Sequence, residues 1–532
     1  MNAMNDTDVV IVGAGHNGLT AAVELQRSGH RVLVLEKTNW PGGQAATKEL
    51  FKGFKHSVGA WALLIFREEM IRYLELDQHG VELIRPESSF TVFGDEGDTP
   101  FIGYCDPIDL ANHLIEDHGV DAMEAFSQLG SYFSYFKEMF DSYVGETPPT
   151  LEEIIATAPD EKTRKALGEL CHGSAVEIMR KFFTEPGKHG TIMGSLSASA
   201  IDGTHYGPFS KGSALSMSYH YCAGDTYDFK IPKGGIGTIS SSLQKVFEKY
   251  GGEVRFKAQV ASFLVEDGTV TGVKLRDGEE IRARAVVSTL DARSTFLRLC
   301  DREDLPIDFV SSVEDIEYTN GYVQMHLTLK RLPTFTKQLE FVNGTVQSWL
   351  VAYIKSPEQL HRAWQQYRNG QIPDDPAVYC YFPSQLDPSL APEGYHTCTM
   401  FTHYFPADIP KGMHNEMKNE MAERMIGQIE KVVPDFRDLI MDSVVFTQQY
   451  FEKTFGVSAG DFSMGLLHPG QMFGDRPVPG WANYETPLTN LFMAGGACHP
   501  GPGVTCLPGL YGARAVMRSL AAASDQQDTK VA

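Results

Sequence analysis

The segment Gly13-Ala14-Gly15-His16-Asn17-Gly18 constrains this chain more than any other six residues. Before it runs an apolar stretch, Asp8 to Val12 (D-V-V-I-V), suited to a strand buried on both faces of a parallel sheet. After it comes a helical pattern, with Leu19, Ala22, Val23 and Leu25 on one face and Gly29 as the stop. A second strand, Val32 to Leu35, then runs into Glu36. This order predicts a β-α-β unit that holds a dinucleotide. Gly13 permits the tight turn, Gly15 lets backbone approach a pyrophosphate, and Gly18 allows close packing of helix and strand. The helix start presents free N–H groups and a positive dipole end to phosphate. Glu36, 23 residues after Gly13, is placed to accept hydrogen bonds from a ribose.

A second glycine pair follows the acid. Lys37 leads to Gly42-Gly43-Gln44, where backbone can again come close to a pyrophosphate. Near the other end, Leu491 to Ala494 reads as a strand, and Tyr511 to Ala522 as a helix. Between them lies Gly495-Gly496-Ala497-Cys498-His499-Pro500-Gly501-Pro502-Gly503-Val504, a glycine-rich loop suited to an anionic or electron-rich ligand edge. In the middle, Ile231 to Gly237 precedes a helix ending near Tyr250, followed by short strands around Val254, Val260, Val273, Ile281 and Ala285–Ser288.

The glycine pair after Glu36 resembles the extension in FAD enzymes of the amine-oxidase and phytoene-desaturase group. Residues Ala494 to Val504 resemble the closing motif of the phytoene desaturase family, roughly A-G-x-x-x-H-P-G-x-G-V. The resemblance is strong in these segments and weak over 76–225 and 300–460. It implies an α/β fold: a Rossmann-like FAD-binding domain of the glutathione-reductase type with an interleaved α+β substrate domain. Residues 1–75, 226–300 and 480–523 would form the FAD domain, 76–225 and 301–479 the substrate domain, and 524–532 a disordered tail. The implied FAD contacts are Gly13, Ala14, Gly15, Asn17, Gly18, Glu36, Lys37, Gly42, Gly43 and Gln44 from the opening, with Val260 backing the adenine. Gly495, Gly496, Gly503 and Val504 would face the flavin's N1/C2=O edge. The family usually carries Arg where this chain has Gln44, so a fixed charge beside the phosphates is missing.

The same resemblance implies an FAD-dependent oxidoreductase that desaturates or oxidises a largely apolar organic substrate by hydride transfer to flavin. Two alternatives stay open. Amine oxidases share the opening but usually carry Glu at the position of Gly496, and a non-redox flavin-dependent isomerase shares both motifs. No strong side-chain base stands out. His499, His220 and Tyr219 are the candidates, each with a structural role as the competing reading. The aromatic stretch Tyr132 to Tyr143 reads either as core or as the wall of an apolar channel.

Composition narrows the rest. With 46 Lys and Arg against 68 Asp and Glu, the net charge is −22, which disfavours nucleic acid as a partner. The eight cysteines include no Cys-x-x-Cys and no zinc-type spacing, so neither a metal site nor a disulfide reductase is expected. Reduced thiols suit a cytoplasmic protein. The first strand begins too early for a signal peptide, and the most apolar short stretch, 58–66, cannot span a bilayer. Peripheral membrane contact stays open, and the sequence does not set the oligomeric state. No second dinucleotide motif is found, because Pro508 follows Gly501-Pro502-Gly503 too soon for a long helix. Oxygen or a quinone is therefore a better electron acceptor than a tightly bound NAD(P).

Overall fold

A computed structural model describes residues 7–185, 187–224, 229–318 and 321–531. The boundary at 226 falls outside the described residues. Val9–Val12 and Val32–Leu35 consist of Val, Ile and Leu alone and are buried throughout. Such strands need cover on both faces, and a parallel sheet supplies it. They pair in register, Val9 opposite Val32 on one side and Ala285 on the other. The complete sheet has five strands in the order Leu491–Met493, Ala285–Ser288, Val9–Val12, Val32–Leu35, Glu253–Arg255. All its neighbours are parallel. Helices His16–Arg27, Gly237–Lys249 and Leu507–Val531 belong to this Rossmann-like unit, with a three-stranded antiparallel sheet running from Val260 to Arg282.

The closing helix corrects two expectations. It begins at Leu507, so Pro508 occupies its first turn, where a missing N–H and a fixed φ cost nothing. It also continues through the segment from Ser524 that was expected to be a disordered tail. The Ala521–Ala523 run favours helix, and the polar sequence that follows contains no Gly or Pro to stop it.

The second unit is built on a seven-stranded sheet ordered Ile440–Thr447, Tyr322–Leu329, His396–His403, Val378–Tyr381, Leu350–Tyr353, Ser88–Phe93, Phe101–Tyr104. Its strand Tyr322–Leu329 is buried along its whole length. Helices between residues 107 and 222 complete this unit. The longest of them, Val120–Tyr143, carries the aromatic stretch. Phe133, Phe136 and Phe140 are buried in the core, while Tyr132 and Tyr135 pack half-exposed at its edge. The structure thus makes this stretch core rather than channel wall. A hairpin, Ala45–Phe51 with Phe54–Gly59, joins the two units. There Gln324, on the buried strand, donates to the Gly59 carbonyl at 2.8 Å and accepts from the Gly59 N–H at 3.1 Å.

Candidate active site

A cavity of about 570 Å³ runs along the opening turn and into the second unit. That volume is in the range of sites that enclose a large small molecule. Gly13, Gly15, Asn17, Gly18, Glu36, Lys37, Gly42, Gly43 and Gln44 all line it, as do Val260, Gly496, Gly503 and Val504. Residues from near both ends of the chain therefore meet at one surface, because the strands of the parallel sheet deliver their carboxyl ends to the same edge.

The opening turn has the geometry of a phosphate cradle. Gly15 is the helix N-cap, extended at φ −69° and ψ 169°, with no side chain capping the first turn. The N–H groups that follow are free for an anion. A Cβ on Gly15 would meet nothing within 4 Å, whereas on Gly18 it would stand 2.1 Å from the Gly13 carbonyl oxygen. Gly18 thus serves packing against the turn itself, and Gly15 faces open space. The second glycine pair closes on the first: Gly42 N–H donates to the Ala14 carbonyl at 2.8 Å.

At the Glu36 end, one carboxylate oxygen accepts from Ala14 N–H at 2.9 Å and the other from Thr38 N–H at 2.8 Å. Each oxygen keeps a lone pair for a diol. Ala14 thus acts through Glu36 and does not itself line the cavity. Ala258, Gln259 and Val260 form the wall beside it. Two buried amide oxygens, Asn17 Oδ1 and Gln44 Oε1, have no protein partner. Unpaired polar atoms in a cavity wall call for a polar ligand. Arg298 also lines the cavity, with Nη1 donating to the Gly456 carbonyl at 3.2 Å, so a cation is present although position 44 is Gln.

The closing loop is held from behind. Tyr219 Oη donates to the Pro502 carbonyl at 2.7 Å, and Arg476 Nη2 donates to the Gly496 carbonyl at 2.9 Å. His16, at the start of the opening helix, donates from Nε2 to the Gly503 carbonyl at 3.1 Å. Two expected contacts are corrected here. Gly495 does not line the cavity, since it packs against the end of strand Ala285–Ser288, where a Cβ would lie 2.4 Å from the Thr289 carbonyl oxygen. His499 faces away from the cavity and is fully buried, with Nε2 donating to the Tyr143 carbonyl at 2.8 Å. Burial pushes its pKa down to about 4. Cys498 is buried as well, its thiol pushed up to about 12 by desolvation.

Beside the closing loop the wall turns apolar, with Trp61, Ile65, Phe401, Phe462, Met464 and Leu467. His220 and Tyr219 do reach it, and with them comes Asp202, which sequence reasoning missed. Asp202 follows a helix whose sequence, Gly190–Ile201, carries no chemical signature; only its position in the fold brings it to the cavity. Among the described residues no group of His, Cys, Asp and Glu could hold a metal ion.

Residues 18–509 match the family described as flavin containing amine oxidoreductase. A Rattus norvegicus protein, pyridine nucleotide-disulfide oxidoreductase domain-containing protein 2, is 28% identical over 96% of this chain and 94% of its own length. A limonene dehydrogenase component of Castellaniella defragrans is 24% identical over 98% of this chain and 96% of its own. Among solved structures, an oxidoreductase from Methanosarcina mazei superposes with a TM-score of 0.60 at 16% identity, covering 96% of this chain and 100% of that one. The chain belongs to the flavin-containing amine oxidoreductase family. It is an FAD-dependent oxidoreductase. The uncapped helix start, the open space at Gly15, the Glu36 carboxylate and the unpaired amides of Asn17 and Gln44 all fit FAD.

Proposed function

We propose that this enzyme dehydrogenates a largely apolar organic molecule by hydride transfer from carbon. The observation that carries this reading is the wall beside the closing loop. Trp61, Ile65, Phe401, Phe462 and Met464 leave few polar groups to hold a hydrophilic substrate. Leu64, 43% exposed, stands at the rim and gives the opening an apolar lip. That lip also suits transient contact with a membrane surface, and no helix among the described residues is long and apolar enough to cross one. Bound FAD would supply the hydride acceptor. The protein contributes orientation and exclusion of water, with the closing loop presenting Gly496, Gly503 and Val504 toward the flavin. Oxygen or a quinone is the acceptor we assign for reoxidation, because the cavity supplies a single dinucleotide cradle.

The relative named as a limonene dehydrogenase component supports an apolar substrate. The test is anaerobic mixing of the FAD-loaded protein with limonene, geraniol or putrescine, followed by loss of the oxidised-flavin absorbance. Reduction by limonene or geraniol and not by putrescine is expected. Reduction by putrescine alone, or by none of the three, would overturn the reading.

A further inference from the structure

His220 lies on helix Ser213–Cys222, one residue after the tyrosine that holds the closing loop. Its Nδ1 is 2.9 Å from the Ser216 carbonyl oxygen one turn earlier. A carbonyl only accepts, so Nδ1 carries the hydrogen. The neutral ring then has a bare Nε2. That nitrogen lies 3.5 Å from Oδ2 of Asp202, and both residues line the cavity. Two acceptors facing each other across that gap make no hydrogen bond without a proton between them.

Asp202 is placed to stay ionised. Burial opposes its charge, but the hydrogen bond from His403, with the attraction of His220 and His403 when their rings are protonated, holds the carboxyl below its ordinary value. His403 Nε2 reaches Asp202 Oδ1 at 3.4 Å from strand His396–His403. Among the described residues, other titratable groups around the pair include Tyr219, Tyr221, Tyr379 and, beside His403, Tyr404. Burial pushes the phenols of Tyr219 and Tyr379 up, so they stay neutral near pH 7. An imidazole with a fixed tautomer, an open lone pair and a carboxylate beside that lone pair is built to take up one proton and hold it.

We propose that His220 is the proton acceptor of the dehydrogenation, with Asp202 as the residue that stabilises the imidazolium and His403 as the residue that positions Asp202. This rests on the dehydrogenase reading above. In the step, a C–H bond of the substrate breaks and its electron pair leaves as hydride, for which bound FAD would be the acceptor. The X–H bond on that carbon breaks heterolytically, and its electron pair becomes the new C=X π bond. The proton passes to His220 Nε2. The substrate loses two hydrogens and two electrons: the hydride would be taken by bound FAD, and the ring gains the proton. A neutral imidazole is too weak a base for an unactivated C–H and suits an O–H or N–H. The substrate class is therefore an apolar body carrying a hydroxyl or amino group on the oxidised carbon.

Two measurements test this. The first is NMR titration of ring-labelled histidines in the FAD-loaded protein, with the His220 signal assigned by its loss in His220→Gln. Asp202→Asn is expected to shift the His220 midpoint to lower pH, because it removes the charge that favours imidazolium. An unchanged midpoint would overturn the pair whether or not any substrate is found. The second is anaerobic flavin reduction by geraniol and by geranylamine across pH, with FAD occupancy checked by absorbance. His220→Gln at full occupancy is expected to lose on the order of 10²-fold in rate, together with the limb rising toward neutral pH. Geraniol and geranylamine decide between the hydroxyl and the amine. If wild type is reduced by either and His220→Gln matches it in rate and pH profile, His220 is not the acceptor while the dehydrogenase reading stands. If only limonene reduces the wild type, the protic substrate class is wrong.

Discussion

A methyl group added at Gly15 would meet no protein atom within 4 Å, yet the position faces the cavity. Gly15→Val is therefore expected to fold, losing about 1 kcal/mol for a poorer N-cap, and to emerge without FAD. Denaturing the purified variant and measuring released FAD checks this, with a circular dichroism melt to show the fold is intact; full occupancy would place the phosphates elsewhere. The role of Gly15 was readable because it depends on residues within one turn of it. The role of His499 was not. The closing motif brought this side chain near the flavin on paper, but its ring nitrogen is satisfied by a carbonyl 356 residues earlier in the chain, at the end of the aromatic helix. Asp202 was invisible for the same reason, since nothing in the sequence around it tells it from any other surface acid. A short-range pattern reports backbone conformation well and side-chain direction poorly when the partner is remote.

Among elements, the closing loop owes its shape to a side chain outside it. Arg476, almost fully buried, donates to the carbonyls of Ser463 at 2.6 Å, Gly465 at 3.2 Å and Gln471 at 3.3 Å, as well as to Gly496. Asp461 shapes the same turn by accepting from the N–H groups of Ser463 and Gly465, both at 2.8 Å. One guanidinium thus joins two loops that both present residues to the cavity. Arg476→Met would leave several buried carbonyls unpaired, so a loss of about 2–4 kcal/mol is expected. Urea midpoints check this, and Arg476→Lys should recover part of the loss because an ammonium still donates to some of these acceptors. Equal midpoints for Met and wild type would mean water replaces the guanidinium at no cost. Strands and helices of the dinucleotide unit were legible from apolar runs and glycine stops. The start of the closing helix was not, because Pro508 reads as a breaker unless it is known to occupy the first turn.

At the scale of the molecule, burial holds several histidines neutral, among them His56, His118 and His499, each with its pKa pushed down to about 4. In the unfolded chain they titrate near 6.5. Above that pH they add nothing to pH dependence. As pH falls from 6.5 toward 4, the unfolded state takes up protons that the folded state refuses, and stability drops by up to about 1.4 kcal/mol per pH unit for each group. The urea midpoint at pH 5 should lie below that at pH 7, and His56→Leu should reduce the difference by removing one of these groups. A difference untouched by that variant would assign acid sensitivity to the carboxylates alone. The overall architecture was readable because two motifs with known geometry sit near opposite ends of the chain, whereas the seven-stranded sheet was not, since several of its neighbours, such as Tyr322–Leu329 with His396–His403 and Leu350–Tyr353 with Ser88–Phe93, pair across long separations. That arrangement bears on how the protein is made. His16 and Gly503, which touch across the cavity, are separated by 487 residues. The first sheet also gains its edge strand only with Leu491–Met493. A ribosome therefore releases the opening turn long before the strand and loop that close over it exist. The cofactor meets a complete cradle only after Gly503 has been made, so loading follows synthesis of the closing loop.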